Sequence, residues 1–314
     1  MKYSGIGGQA VMEGVMMKND NKYAVAVRKP NHEIEVKVSD YVAEKRFKKL
    51  RNTPIIRGVF SFIDSLYLGM STLMYSASFF EEEEVRPSQK EGLTDEEKIK
   101  LKKKEDKEDK LMMGGTLVFS LVIALGLFFA LPYFLSNFFE KVIESQIIIT
   151  AIEGVIRLAI FIIYIMLISL TPDIKRTFMY HGAEHKCINC IEHGLELNVS
   201  NVLKSSKQHK RCGTSFLLIV MLISIIFFMF IQVDSKVLRL LIRLILIPVI
   251  AGVSYEFIRL AGRYDNWLVN LLSKPGLLMQ KLTTKEPDED MIEVAIASVE
   301  AVFDWKKWQK EEGI

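Results

Sequence analysis

Four long apolar blocks constrain this chain more than any other feature. They fall at about 113–135, 147–170, 214–231 and 238–258, and all are rich in Ile, Leu, Phe and Met. A helix that crosses a bilayer needs about 20 predominantly apolar residues, and in lipid the backbone must satisfy its own hydrogen bonds. The expected class is therefore a mainly α membrane protein with four transmembrane helices. A fifth apolar stretch, within 53–80, carries Arg57 and Asp64. It is expected to be a membrane-associated helix on the surface or against the bundle, with Thr53 as its cap and Pro54 in its first turn.

Lys and Arg in short loops set orientation. Basic residues crowd the segment before the first block, and Lys175, Arg176, Lys186, Lys204, Lys207, Lys210 and Arg211 lie between the second and third. The 136–146 connection has only Lys141. This places both termini and residues 171–213 in the cytoplasm, in a multi-pass protein of the inner membrane. A net charge of only +3 gives no global basic field, so no nucleic-acid partner is expected. Membrane lipids are. The three Cys residues do not make a disulfide framework, and cytoplasmic thiols stay reduced.

The remaining segments divide simply. Residues 1–52 combine a Gly-rich opening with a β-hairpin, "YAVAVRK" and "EIEVKV" around "KPNH". Residues 81–112 are dense in both signs of charge and read as a solvated linker or a mobile charged helix. Residues 263–314 read as a linker followed by an amphipathic helix. Asp288, Glu289 and Asp290 start that helix, and Ile292, Ala295, Ile296, Val299 and Phe303 form its stripe.

The chemistry concentrates in "YHGAEHKCINC", residues 180–190. On a helix continuing past Pro172, His181, Glu184 and His185 share a face. This is the H-x-x-E-H spacing of inverted zinc peptidases. Two imidazoles one turn apart can hold a divalent ion, and a carboxylate beside them can take a proton from water. A rival reading uses the C-x2-C of Cys187 and Cys190 with His209 and Cys212 as a structural zinc site. A third leaves these groups paired with one another and the thiols as packing residues. His209, Arg211 and Cys212 precede the third block, and Glu256 lies near the end of the fourth, so both can reach the level of His181. Arg211 could bind an anion or serve as an inside-positive anchor. Gln9 and Glu13 could lie near the same face. Glu153 and Arg157 are spaced to pair with each other within the second block.

Six segments, "GGQAVMEGVMM", "RGVFSFIDSLYLG", "YHGAEHKCIN", "HKRCGTSF", "SYEFIRLAGR" and "TTKEPDEDMIEVAIASVE", together resemble the YqhQ-like family of bacterial integral membrane proteins. That family is a domain of unknown function sometimes labelled a predicted metal-dependent enzyme. The resemblance implies His181, Glu184, His185, His209, Arg211, Cys212 and Glu256 as the candidates for metal and catalytic roles.

The expectation is a divalent metal ion, zinc, held by His181 and His185 with His209, Cys212 or Glu256 completing the shell. Glu184 would be the general base, with Arg211 beside it. The reaction would be hydrolysis of a lipid-linked or protein substrate reached from the cytoplasm or inner leaflet. The alternative is a scaffold in which the polar cluster locks the spans to a partner-binding platform.

Overall fold

The computed structural model describes residues 2–41, 50, 52–80, 114–116, 118–231, 233, 235–264 and 266–314. The expected charged linker at 81–112 lies outside them. The chain forms two compact units. One holds residues up to 80 together with Ile163–Ile314, and the other lies within 81–162.

The first unit opens with a four-stranded antiparallel sheet in the order β1 (Gly7–Val11), β2 (Gly14–Asn19), β3 (Lys22–Arg28) and β4 (Ile34–Asp40). The expected hairpin is β3–β4, with Arg28 opposite Ile34. "GGQAVMEGVMM" forms a second hairpin, with Val11 opposite Gly14. Side chains alternate across a strand. Val15, Met17 and Ala26 pack into one core, while Val11, Met16, Val25 and Val27 pack into another with Leu68. With both faces covered, β2 reads as a short apolar run rather than an alternating one.

Helix α1 (Ile56–Ala77) covers one face of the sheet. Thr53 does not cap it. The helix starts after Ile55, held at a positive φ of 70°, and Ile55 N–H donates to Glu256 at 3.2 Å. The other sheet face packs on α4 (Pro172–Glu192) and α9 (Glu289–Glu300). Helix α9 takes the expected stripe inward, and Asp288 caps it by accepting from Met291 N–H at 2.8 Å. Residues 267–283, expected as a linker, form a helix, α8 (Trp267–Thr283), capped by Asn266. The apolar "LLMQKL" turn docks on α6 (Gly213–Met229), with Gly276 against Ser215.

Among the described residues, three helices are long and apolar enough to cross a membrane. These are α2 (Gly114–Lys141), α3 (Gln146–Ile168) and the core of α7, Val237–Gly262 within Lys236–Arg263. The block expected to be a fourth span is the shorter apolar helix α6, of 17 residues. Two short helices, α5 (Val199–Lys204) and α10 (Trp305–Glu312), complete the first unit.

Within the second unit, Pro132 has no N–H for the carbonyl of Phe128 four residues earlier, and the helix widens to a π turn at Gly126–Ala130. Arg157 Nε donates to that carbonyl at 2.9 Å and its other arm pairs with buried Glu153 at 2.6 Å. An open carbonyl in an apolar layer is costly, so the charge pair seen in the sequence serves the helix backbone.

Gly182 lets α4 approach the segment after α8. A Cβ there would lie 2.0 Å from the Lys285 carbonyl oxygen, beside the hydrogen bond from Lys285 N–H to Phe178 O at 2.9 Å. Gly182→Ala is expected to destabilise the protein by about 1–3 kcal/mol through this overpacking. A thermal unfolding midpoint equal to wild type in detergent would contradict it.

Candidate metal centre

Helix α4 carries two chemistries on two faces. Tyr180, Ala183, Cys187, Cys190 and Ile191 point into the apolar core with Val294, Ala295 and Val299. Cys190 Sγ lies against the Glu196 and Leu195 carbonyls, at 3.4 and 3.9 Å. Burial raises the Cys187 thiol well above its ordinary value. The two thiols are therefore core residues, separated from Cys212 by the helix itself. The opposite stripe, His181, His185, Asn189 and Glu192, follows i, i+4, i+8 and i+11 and faces the returning chain at 203–212.

On that face His181 Nε2 lies 3.2 Å from Cys212 Sγ, and the His181 and His185 rings are 4.4 Å apart at their centroids. One ligand atom each from His181, His185 and Cys212 lie within 4.8 Å of one another, and no fourth ligand joins them among the described residues. Both imidazoles are oriented by their far nitrogens. His181 Nδ1 donates to the Thr283 carbonyl at 2.8 Å and His185 Nδ1 to the Lys207 carbonyl at 2.7 Å. A carbonyl only accepts, so the Nδ1 proton stays on that side and Nε2 is the nitrogen each ring would offer to a metal ion.

Cys212 sits at the N-cap of α6 and accepts from Thr214 N–H at 3.4 Å. Burial works to raise its thiol, but His181 and His185 hold it well below the usual range. Burial disfavours charge on His181, yet the Cys212 sulfur beside it raises the imidazole to about 9. Glu184 is buried, with its carboxyl carbon 3.1 Å from where a Cβ of Gly8 would stand. Burial raises its pKa, opposed by His181 and His185 and by the Gly8 N–H.

His209 and Arg211 belong to an adjoining cluster built on Glu192, which the sequence reading missed. The Glu192 carboxylate is fully enclosed. It accepts from Ser4 N–H at 2.9 Å, from Ser4 Oγ at 2.7 Å and from Arg211, with His209 Nε2 3.4 Å away. Gln280 clamps His209 by accepting from its N–H at 2.9 Å and donating to its carbonyl at 2.7 Å. Arg211 stacks over Tyr3 at 4.2 Å. The signal for Glu192 was its i+7 spacing from His185.

The structure separates Glu256 from this cluster. Its carboxylate takes both arms of Arg57 as well as the Ile55 N–H, so its lone pairs are engaged at the start of α1. Glu13, at a positive φ of 48°, accepts two bonds of 2.5 Å from Arg176 and one of 3.2 Å from Tyr180. Gln9 packs against Gly69.

The family described as "Protein of unknown function (DUF1385)" matches residues 53–305, which include the whole cluster except Ser4 and Gly8. An uncharacterized protein, YqhQ of Bacillus subtilis (strain 168), is 35% identical over 297 residues, covering 93% of this chain and 90% of that protein. No solved structure matches.

Proposed function

We propose that this chain, which belongs to the DUF1385 family of proteins of unknown function, is a membrane-embedded metal-dependent hydrolase centred on His181, His185 and Cys212. The observation that carries this is the convergence of three ligand atoms within 4.8 Å, with each imidazole fixed from behind by a carbonyl. Metal–ligand bonds of about 2.0–2.3 Å set donors about 3–4 Å apart, so the set fits after small side-chain rotations. Two imidazoles and a thiolate with a fourth position left open match zinc. Bound there, a divalent ion supplies Lewis acidity and activates water near neutral pH.

The chain's own residues do the rest. Thr283 and Lys207 hold the ring tautomers. Glu184, its pKa raised by burial, takes a proton from water and returns it. Arg211 is engaged by Glu192 and acts by positioning the 209–212 segment, not by touching substrate.

Four crossings with both termini and the site on the cytoplasmic side suit this reading. Gly262, at the end of α7, abuts the Arg211 side chain just before α6. If α7 spans the bilayer, the short 230–235 connection returns α6 across it as well. A lipid-linked or protein substrate would then meet the site at the inner leaflet.

The test is cobalt substitution of the full-length protein in detergent. A sulfur-to-cobalt charge-transfer band should appear in wild type and vanish in Cys212→Ser. Glu184→Gln should keep the band and lose turnover on a panel of model esters, phosphoesters and peptides. Retained turnover in Glu184→Gln sinks the proposed base, and a band unchanged by Cys212→Ser sinks the site.

The scaffold alternative draws on one further observation. The Glu192 cluster ties the N-terminal residues, α4, the 209–212 segment and, through Gln280, α8. In that case Glu184→Gln has no effect on any readout.

A further inference from the structure

A cavity of about 660 Å³ opens beside the 204–208 loop. Lys186, Lys204, Lys207 and Lys281 line it, and Glu286 is its sole carboxylate. Glu286 is bound by Lys186 at 3.1 Å and Lys207 at 3.0 Å, whereas Lys204 and Lys281 have no carboxylate partner among the described residues. The loop is held rigidly. Lys186 Nζ donates to the Leu203 and Ser205 carbonyls, Asn189 to those of Ser206 and Gln208, and His185 to that of Lys207. Three side chains of α4 thus consume four loop carbonyls and that of Leu203 in α5, removing most of the loop's acceptors. The backbone N–H groups of Ser206 and Lys207 have no acceptor among the described residues. Ammonium groups next to open N–H donors suit an anion rather than a cation.

We propose that this cavity binds a phosphate group, carried by inorganic phosphate, a soluble ester or a phospholipid headgroup. A phosphate spreads up to two negative charges over its acceptor oxygens, which suits the two free lysines and the open amides together better than the single charge of a carboxylate. The site stands independently of any metal. It touches the metal cluster through Lys207, whose carbonyl orients His185, so an occupant would also brace that imidazole.

The experiment uses full-length protein in neutral detergent after chelation, which removes phosphate–metal binding as a confounder. Inorganic phosphate and glycerol phosphate are titrated by phosphorus NMR line broadening. In parallel, phosphatidylglycerol retention against phosphatidylcholine is read by native mass spectrometry. Lys204→Gln/Lys281→Gln changes two exposed side chains and should weaken binding by about ten-fold or more. Glu286→Gln, which removes the cavity's carboxylate, should strengthen it. Saturable binding of the soluble anions identifies a free phosphate or ester as the occupant, and selective retention of phosphatidylglycerol identifies a headgroup. Equal behaviour of wild type and the lysine variant in both arms overturns the proposal. Cys212→Ser, which removes a proposed metal ligand that makes no bond to the loop, should still bind, which separates a failure here from a failure of the metal reading.

Discussion

Purified with zinc in excess and then desalted, the wild-type protein should retain about one equivalent of metal, and the His181→Ala/His185→Ala variant essentially none. Two of three ligands would be gone, and the remaining thiolate cannot hold the ion alone. His209→Ala should keep its metal, because His209 is turned to Glu192 and Arg211. The uptake should also depend on pH in a defined direction. Without metal, the His181 imidazole is held protonated to about 9 by the Cys212 sulfur, against the effect of burial. Metal binding must therefore displace that proton, so apparent affinity should rise as pH climbs toward about 9 and level off above it. Cys212→Ser removes the partner that raises His181, so this dependence should move to lower pH while affinity falls. Equal zinc in wild type and the double His variant would leave no metal centre to discuss.

The second large effect concerns Glu192. Its enclosed carboxylate binds Arg211, Ser4 and the neighbourhood of His209. Glu192→Ala should destabilise the protein by about 3–5 kcal/mol, because it strands a largely buried guanidinium. Burial favours the protonated acid, but His209 and Arg211 hold the carboxyl down at about 2 from an ordinary 4.5. A depressed folded-state pKa stabilises the ionised form. That contribution is complete above pH 4.5 and is lost as pH falls from there to about 2. Wild type should therefore lose stability across this window by more than Glu192→Ala does. Matching slopes in detergent unfolding experiments would refute the assignment. Glu312→Ala, which breaks only the exposed pair with Lys2, should stay close to wild type.

Much of the helical framework could be read in the residues. Blocks of uninterrupted Ile, Leu and Phe permit little but long apolar helices, and three emerged at the expected places. The 3.6-residue period placed His181 and His185 together on α4, and the same period carries Glu192 onto that stripe two turns further on. The β3–β4 hairpin was visible in its alternation. The β1–β2 hairpin was not, because a sheet covered on both faces loses the period-two signal. Residues 267–283 looked like a linker because Pro275 and Gly276 interrupt them, yet both fit within α8. Gly276 is there to admit Ser215.

Chain pattern alone determined which side chains could do chemistry: few imidazoles and thiols in so long a chain, crowded near one helix. It could not decide between the rival ligand sets, because Cys187, Cys190 and Cys212 look alike in sequence. Tertiary packing separates the three thiols. Helix α4 turns Cys187 and Cys190 into an apolar core, where burial keeps them as neutral thiols. The N-cap of α6 presents Cys212 to two imidazoles instead. Glu256 was drawn away for an equally local reason, since an exposed helix start and the Arg57 guanidinium nearby supply all the donors that its carboxylate can use.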